Sequence, residues 1–181
     1  MGSRFYEATK GVVLPISVKT VWEVVSFRIF YLHVSCVGEI NMKTATGGCL
    51  CGNIKYELER DAVLNAIHCH CLDCQKSTGS GKATIVVIPE DSLTLQGALK
   101  YYSVVGTDGA TIERGFCENC GSPIISSAIG PADWEGIKFI KAGSLDDSSW
   151  VSVGMNIWNS TARHWDEVKE GLPTFEQNIK A

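Results

Sequence analysis

Seven of the eight cysteines stand in three tight groups: Cys49-Leu50-Cys51-Gly52, Cys69-His70-Cys71-Leu72-Asp73-Cys74 and Cys117-Glu118-Asn119-Cys120-Gly121. Thiols one or two residues apart suit a turn that holds one ion. Cysteines this close rarely form an unstrained disulfide with each other. A disulfide framework would also need an oxidising compartment, and no clean signal peptide is legible. The groups therefore point to metal. Thiolates are soft ligands that select zinc, copper(I) or iron–sulfur clusters. Clusters usually take four cysteines each, so seven fit poorly and zinc is the expectation. Seven divides as four plus three. Four thiolates close a structural zinc, while three leave one position for water or substrate.

The glycines indicate which thiols belong together. Gly52 and Gly121 follow the outer pairs and would let the backbone turn so that amides point at the thiolates. Cys49, Cys51, Cys117 and Cys120 then make the closed site, joining distant parts of the chain. Cys69, Cys71 and Cys74 make the open one. Strand alternation puts Cys69 and Cys71 on one face and His70 on the other. His70 and, by the same spacing, His68 read as packed or hydrogen-bonded residues rather than ligands.

The elements that must position these thiols are mostly strands. Period-two alternation runs through Asn53–Glu59 and through parts of Lys82–Ile88, Ser92–Leu95, Leu99–Val104, Thr111–Phe116 and Ile137–Ala142. Pro89, Gly97, Asp108-Gly109, Gly130-Pro131 and Gly143 punctuate them. Short strands at such spacing give a mainly β protein. Leu72–Ser77 and Asp166–Gly171 read as short helical turns.

Length and composition set the bounds. The 181 residues suit one domain, or one domain with an extension. Residues 1–41 hold no grouped cysteine, and their apolar stretches are broken by Pro15, Lys19, Glu23 and Arg28. They read as an accessory extension, with Cys36 an inert thiol, and residues 42–181 as the working domain. A net charge of −4 argues against a nucleic-acid partner, which needs a basic footprint. No apolar run reaches the ~18 residues a membrane span requires. Reduced thiolate sites point to the cytosol.

The motifs Gly47-Gly48-Cys49-Leu50-Cys51-Gly52 with Tyr56, Cys69-His70-Cys71-x-x-Cys74 with Lys76 and Gly79, and Gly115-Phe116-Cys117-x-x-Cys120-Gly121 stand in a specific order. The chain resembles the glutathione-dependent formaldehyde-activating enzyme (GFA) family, which includes centromere protein V, over roughly residues 44–175. The family often has Arg where Gln75 stands. The resemblance implies a zinc-containing β-tent of several short antiparallel sheets. It implies two Zn²⁺ per chain: a structural ion on Cys49, Cys51, Cys117 and Cys120, and a catalytic ion on Cys69, Cys71 and Cys74. It also implies a carbon–sulfur lyase acting on a glutathione-like thiol or thiol adduct, such as S-(hydroxymethyl)glutathione made from glutathione and formaldehyde. The alternative is a non-catalytic zinc scaffold that binds a protein partner.

Further residues are weighed on position alone. Lys76 and Lys82 follow the open site and could pair with substrate carboxylates; a solvated surface role competes. Arg114 precedes the Cys117 knuckle and could contact substrate or flank the zinc. Asp73 could orient a group near the open site or cap a turn. Trp134, Trp150, Trp158 and Trp165 read as core and lid aromatics.

Overall fold

A computed structural model describes residues 43–106, 109–130 and 132–179. The expected extension, residues 1–41, and Cys36 within it lie outside the described residues.

The chain is mainly β, as its alternation predicts. Three strands form an antiparallel sheet in the order β1-β2-β5: Thr44–Gly48, Lys55–Glu59 and Leu93–Gln96. The larger sheet has seven strands. Its members are β3 (Asn65–Cys69), β4 (Ala83–Pro89), β6 (Lys100–Val105), β7 (Thr111–Phe116), β8 (Pro123–Ile129), β9 (Ile137–Lys141) and β10 (Met155–Ile157). Their order is β10-β3-β4-β9-β8-β7-β6, antiparallel except for β10 beside β3. Strands β3 and β8 join ribbons that alternation alone leaves separate. One helix, α1 (Leu72–Thr78), occupies the expected Leu72–Ser77 turn.

The seven-stranded sheet is apolar on both faces. Val86, Ile88, Ile125 and Ile140 point one way and pack with Ala45, Tyr56 and Leu58 of the small sheet. Ile67, Ile85, Val87 and Ile157 point the other way, with Phe139 and Met155 against them. Alternation, expected in parts of Lys82–Ile88, gives way to the continuous apolar run Ile85–Ile88 because β4 is central and covered on both sides. The second face is where the candidate site lies.

The expected helical turn at Asp166–Gly171 does not form; the segment is turn and irregular chain. Asp166 is held instead by Lys82, which also donates to the Glu167 carbonyl at 2.9 Å. Gly171 takes a left-handed φ of 77°, which ends any helical run there. Among the described residues no helix is long and apolar enough to cross a membrane.

Candidate active site

The two cysteine groupings predicted from spacing are brought together in space. Cys49, Cys51, Cys117 and Cys120 place their sulfurs within 4.8 Å of one another, and so do Cys69, Cys71 and Cys74. In the first cluster the Cys49–Cys51 and Cys51–Cys117 sulfurs are 3.5 and 3.7 Å apart. A tetrahedral zinc with bonds of about 2.3 Å requires sulfurs about 3.8 Å apart. The four thiols therefore fit a closed zinc site.

Local turns build this cluster. Gly52 and Gly121 have φ of 79° and 75°, a left-handed region that L side chains avoid. Their own amides, however, donate to the Cys49 and Cys117 carbonyls, at 3.0 and 2.8 Å, and so close the turns rather than meet sulfur. The donor to Cys49 Sγ is the Ile54 amide, at 3.2 Å. The Ser122 hydroxyl lies 3.3 Å from Cys120 Sγ. This hydroxyl and the Ser122 amide draw the Cys120 thiol down to about 5, ready to ligate.

The three-cysteine cluster forms where β3 runs into α1. Cys69 ends β3, and the chain turns at His70. Cys71 is the extended residue before the helix, and its Sγ accepts from the Cys74 amide at 3.3 Å. Gln75 pins the turn: its amide nitrogen donates to the carbonyls of His70 (2.6 Å) and Thr161 (2.8 Å). Gln75 Oε1 in turn accepts from Arg163 at 2.8 Å. Cys69 and Cys74 are buried and Cys71 is half-buried.

The electrostatics of this triangle favour one thiolate. Hydrogen bonds from the Cys69 and Cys71 thiols pull Cys74 down to about 3. Hydrogen bonding with Cys71 and then Cys74, followed by burial, pushes Cys69 well up. Three adjacent negative charges cannot stand without a cation among them, so the donor set fits a dication that ionises all three.

His70 is fully buried and belongs to neither cluster. Its ring nitrogens make no hydrogen bond of normal geometry among the described residues, so it is packed rather than ligating. His68 sits 3.1 Å through Nδ1 from Thr84 Oγ1, and burial, with Lys82 nearby, lowers it to about 4.

A cavity of about 480 Å³ opens from the three-cysteine cluster across the second face of the large sheet. That volume lies in the range of small-molecule sites. Cys69, Cys71, Cys74, Asp73, Arg114 and Lys141 all line it. Arg114 Nη2 is 3.7 Å from Asp73 Oδ2, so both residues flank the cluster. Asp73 stands in the first turn of α1 but is not its cap; Cys71 is. Lys76 is exposed on α1 and outside the cavity wall, and Lys82 is engaged by Asp166. Trp134 and Trp158 line the cavity, Trp150 stacks under Arg60 at 4.8 Å, and Trp165 is exposed.

Lys141 is the residue that sequence reasoning missed. It ends β9, facing the cavity beside Ile85 of β4, and is 6% exposed. Burial lowers its pKa, and Cys74, Cys69 and Cys71 oppose that effect as counter-charges. The run Ile137-Lys138-Phe139-Ile140-Lys141 reads as an ordinary alternating strand. No local signal separates Lys141 from Lys138, which pairs with Glu90 at 3.0 Å.

A family model described as glutathione-dependent formaldehyde-activating enzyme matches residues 44–161, an interval that contains both clusters. The chain belongs to this family. Among GFA relatives, proteins named "Putative glutathione-dependent formaldehyde-activating enzyme" are similar in sequence. That of Penicillium rubens is 26% identical over 103 residues, covering 56% of this chain and 53% of the relative. That of Phaeosphaeria nodorum is 25% identical over 114 residues, covering 62% and 60%. The chain thus spans a little over half the length of the curated GFA relatives it matches. A crystal structure of a Rhodobacter sphaeroides protein aligns with 72% of this chain and 98% of its own, at 19% identity and a TM-score of 0.45.

Proposed function

We propose that this GFA-family chain is a zinc-dependent enzyme of the carbon–sulfur lyase type, acting on the adduct of a thiol and a small aldehyde. Formation of S-(hydroxymethyl)glutathione from glutathione and formaldehyde is the example the relatives' names suggest. The observation that carries the reading is a three-thiol cluster with no fourth ligand of its own, opening into a cavity. Among the described residues no His, Asp or Glu joins Cys69, Cys71 and Cys74, which disfavours a scaffold with two closed ions.

Cys69, Cys71 and Cys74 would hold the catalytic zinc, and Cys49, Cys51, Cys117 and Cys120 the structural one. When bound by three thiolates, the dication keeps a place for a fourth soft ligand and favours the ionised form of an incoming thiol. The chain's own residues do the rest. Gln75 and the Thr161 hydroxyl hold the His70 carbonyl and fix the turn that aims the three sulfurs. Lys141 places a buried positive charge beside them, offsetting the negative charge the thiolates bring. Arg114 and Asp73 line the same cavity beside the cluster. In the reaction the substrate sulfur bonds to the aldehyde carbon while the C=O π pair moves to oxygen, which takes the thiol's proton. The product is the S-hydroxyalkyl adduct, and reversal cleaves its carbon–sulfur bond.

Exchange spectroscopy by NMR on glutathione plus formaldehyde tests the activity. Adduct exchange should quicken with the protein and return to the uncatalysed rate with Cys71→Ser. Equal rates for both proteins would remove the activity. Metal analysis should find two zinc ions per chain, and one with Cys71→Ser. Two ions in the variant would put the second zinc elsewhere.

A further inference from the structure

The cavity wall is chemically unlike glutathione. That tripeptide carries two carboxylates and one ammonium at neutral pH, and each needs a polar or charged partner once it leaves water. The charged groups lining the cavity are Asp73, Arg114 and Lys141. Arg114 and Asp73 lie 3.7 Å apart and offset one another. Three thiolates and a dication sum to −1, which Lys141 balances. No net positive charge remains for two carboxylates.

The remaining wall follows from sheet register. Met155, Ile67, Ile85 and Lys141 form one row across β10, β3, β4 and β9. Val87, Phe139, Ser126 and Arg114 form the next, across β4, β9, β8 and β7. The second row continues past Val87 to Asn65 of β3, whose Oδ1 already accepts from the Ala66 amide at 2.8 Å. Between Asn65 and the charged ends the two rows are hydrocarbon apart from Ser126, and Thr161 and Asn178 are the other polar side chains on the wall. Ser126 is 4% exposed, lines the cavity, and its Oγ has no hydrogen-bond partner among the described residues. A buried hydroxyl left unpaired is costly, and a ligand atom that pairs with it recovers that cost. Ser126 and Ala128 are also the small side chains of β8 that leave this space unfilled.

We infer that the cavity binds a thiol, or its aldehyde adduct, whose body is a neutral aromatic or hydrocarbon group with one hydrogen-bonding atom set against Ser126 Oγ, in preference to glutathione. The inference rests on the proposed reading for its sulfur end, which meets Cys69, Cys71 and Cys74. Its apolar body rests on the cavity alone.

Titration of the zinc-loaded full chain, read by fluorescence of the cavity tryptophans Trp134 and Trp158, tests it. Phenylmethanethiol should bind at least tenfold more tightly than glutathione. Ala128→Trp, which fills the cavity from β8, should weaken phenylmethanethiol at least tenfold while keeping the zinc content and melting curve. A para-hydroxyl on the thiol should strengthen binding to the parent and not to Ser126→Ala. Glutathione binding as tightly as phenylmethanethiol would overturn the inference, as would an Ala128→Trp protein that folds and binds equally well. Ethylbenzene, which lacks sulfur, separates the two claims. If it binds as tightly as the thiol, the cavity assignment stands and the thiol–metal reading falls. If neither binds while glutathione and formaldehyde still turn over, the inference falls and the proposed activity stands.

Discussion

Replacing Cys117 with Ala should cost the domain its cross-link, and the cost can be worked from chain topology. Cys117 is buried, and its cluster ties the turn after β1 to the turn between β7 and β8. Cys49 and Cys117 are 68 positions apart (117 − 49). Treating the zinc link as a cross-link that closes a loop of this size, the unfolded chain regains about 4 kcal/mol of loop entropy when it is lost. A domain near 140 residues has an unfolding entropy at its midpoint of about 0.3 kcal/mol/K, so the melting temperature should fall by about 14 °C. Direct metal–ligand free energy adds to this, so the figure is a floor. Calorimetry on parent and variant, each with and without a strong chelator, is the assay. The parent should lose stability on chelation, and the variant should start low and lose less. A Cys117→Ala protein that melts with the parent, together with a chelator-insensitive parent, would refute the cross-link and the closed-site assignment.

Other outcomes follow from single features. Tyr56 is buried, with its hydroxyl 2.8 Å from Ser144 Oγ, and burial raises its pKa to about 12. Its folded pKa lies above the unfolded value near 10, so the folded state keeps the proton longer. Its contribution is complete below pH 10 and is lost as pH rises toward 12, about 2–3 kcal/mol in all. Denaturant titrations should show Tyr56→Phe with a shallower decline across that window; parallel declines would contradict the assignment. Ser126→Ala removes an unpaired buried hydroxyl, and ligand-free protein should gain about 1 kcal/mol in urea unfolding. A loss instead would mean that the hydroxyl has a partner. Since the family match and β1 both begin at residue 44, a chain lacking residues 1–41 should keep the metal content and melting curve of the full chain. Loss of either would make the segment part of the fold.

The cysteines are legible in the sequence because each turn is local: the ligands of one knuckle lie within a few residues, and spacing alone reports them. Strands β2 and β5 of the small sheet are legible because their side chains alternate between more and less exposed positions, whereas β1 carries no such reading in the sequence. The misses have physical causes. In β8, Pro123-Ile124-Ile125-Ser126-Ser127-Ala128-Ile129, alternation breaks at the small residues that line the cavity. The pattern fails where the fold leaves space instead of filling it. Strand β10 is three residues long and pairs in parallel with a strand 88 positions earlier (155 − 67), a contact no local pattern carries. Lys141 belongs to the same class, since only sheet register turns it inward.

The two clusters differ in how much chain must exist before each can close. Cys69 to Cys74 are six consecutive residues, and the first can meet the last as soon as that stretch is made. The other cluster must wait for Cys120, 46 residues after Cys74 (120 − 74), and for β7 and β8 to hold the second knuckle against the first. Growth of the chain on the ribosome therefore exposes a complete three-thiol group while the four-thiol group is still half-built. On the proposed two-ion reading, the three thiols assigned to the open site would be the first able to meet a metal ion, before their cavity wall has formed. On that reading, any delay in making β7 and β8 would lengthen the interval in which Cys49 and Cys51 stand without their partner thiols.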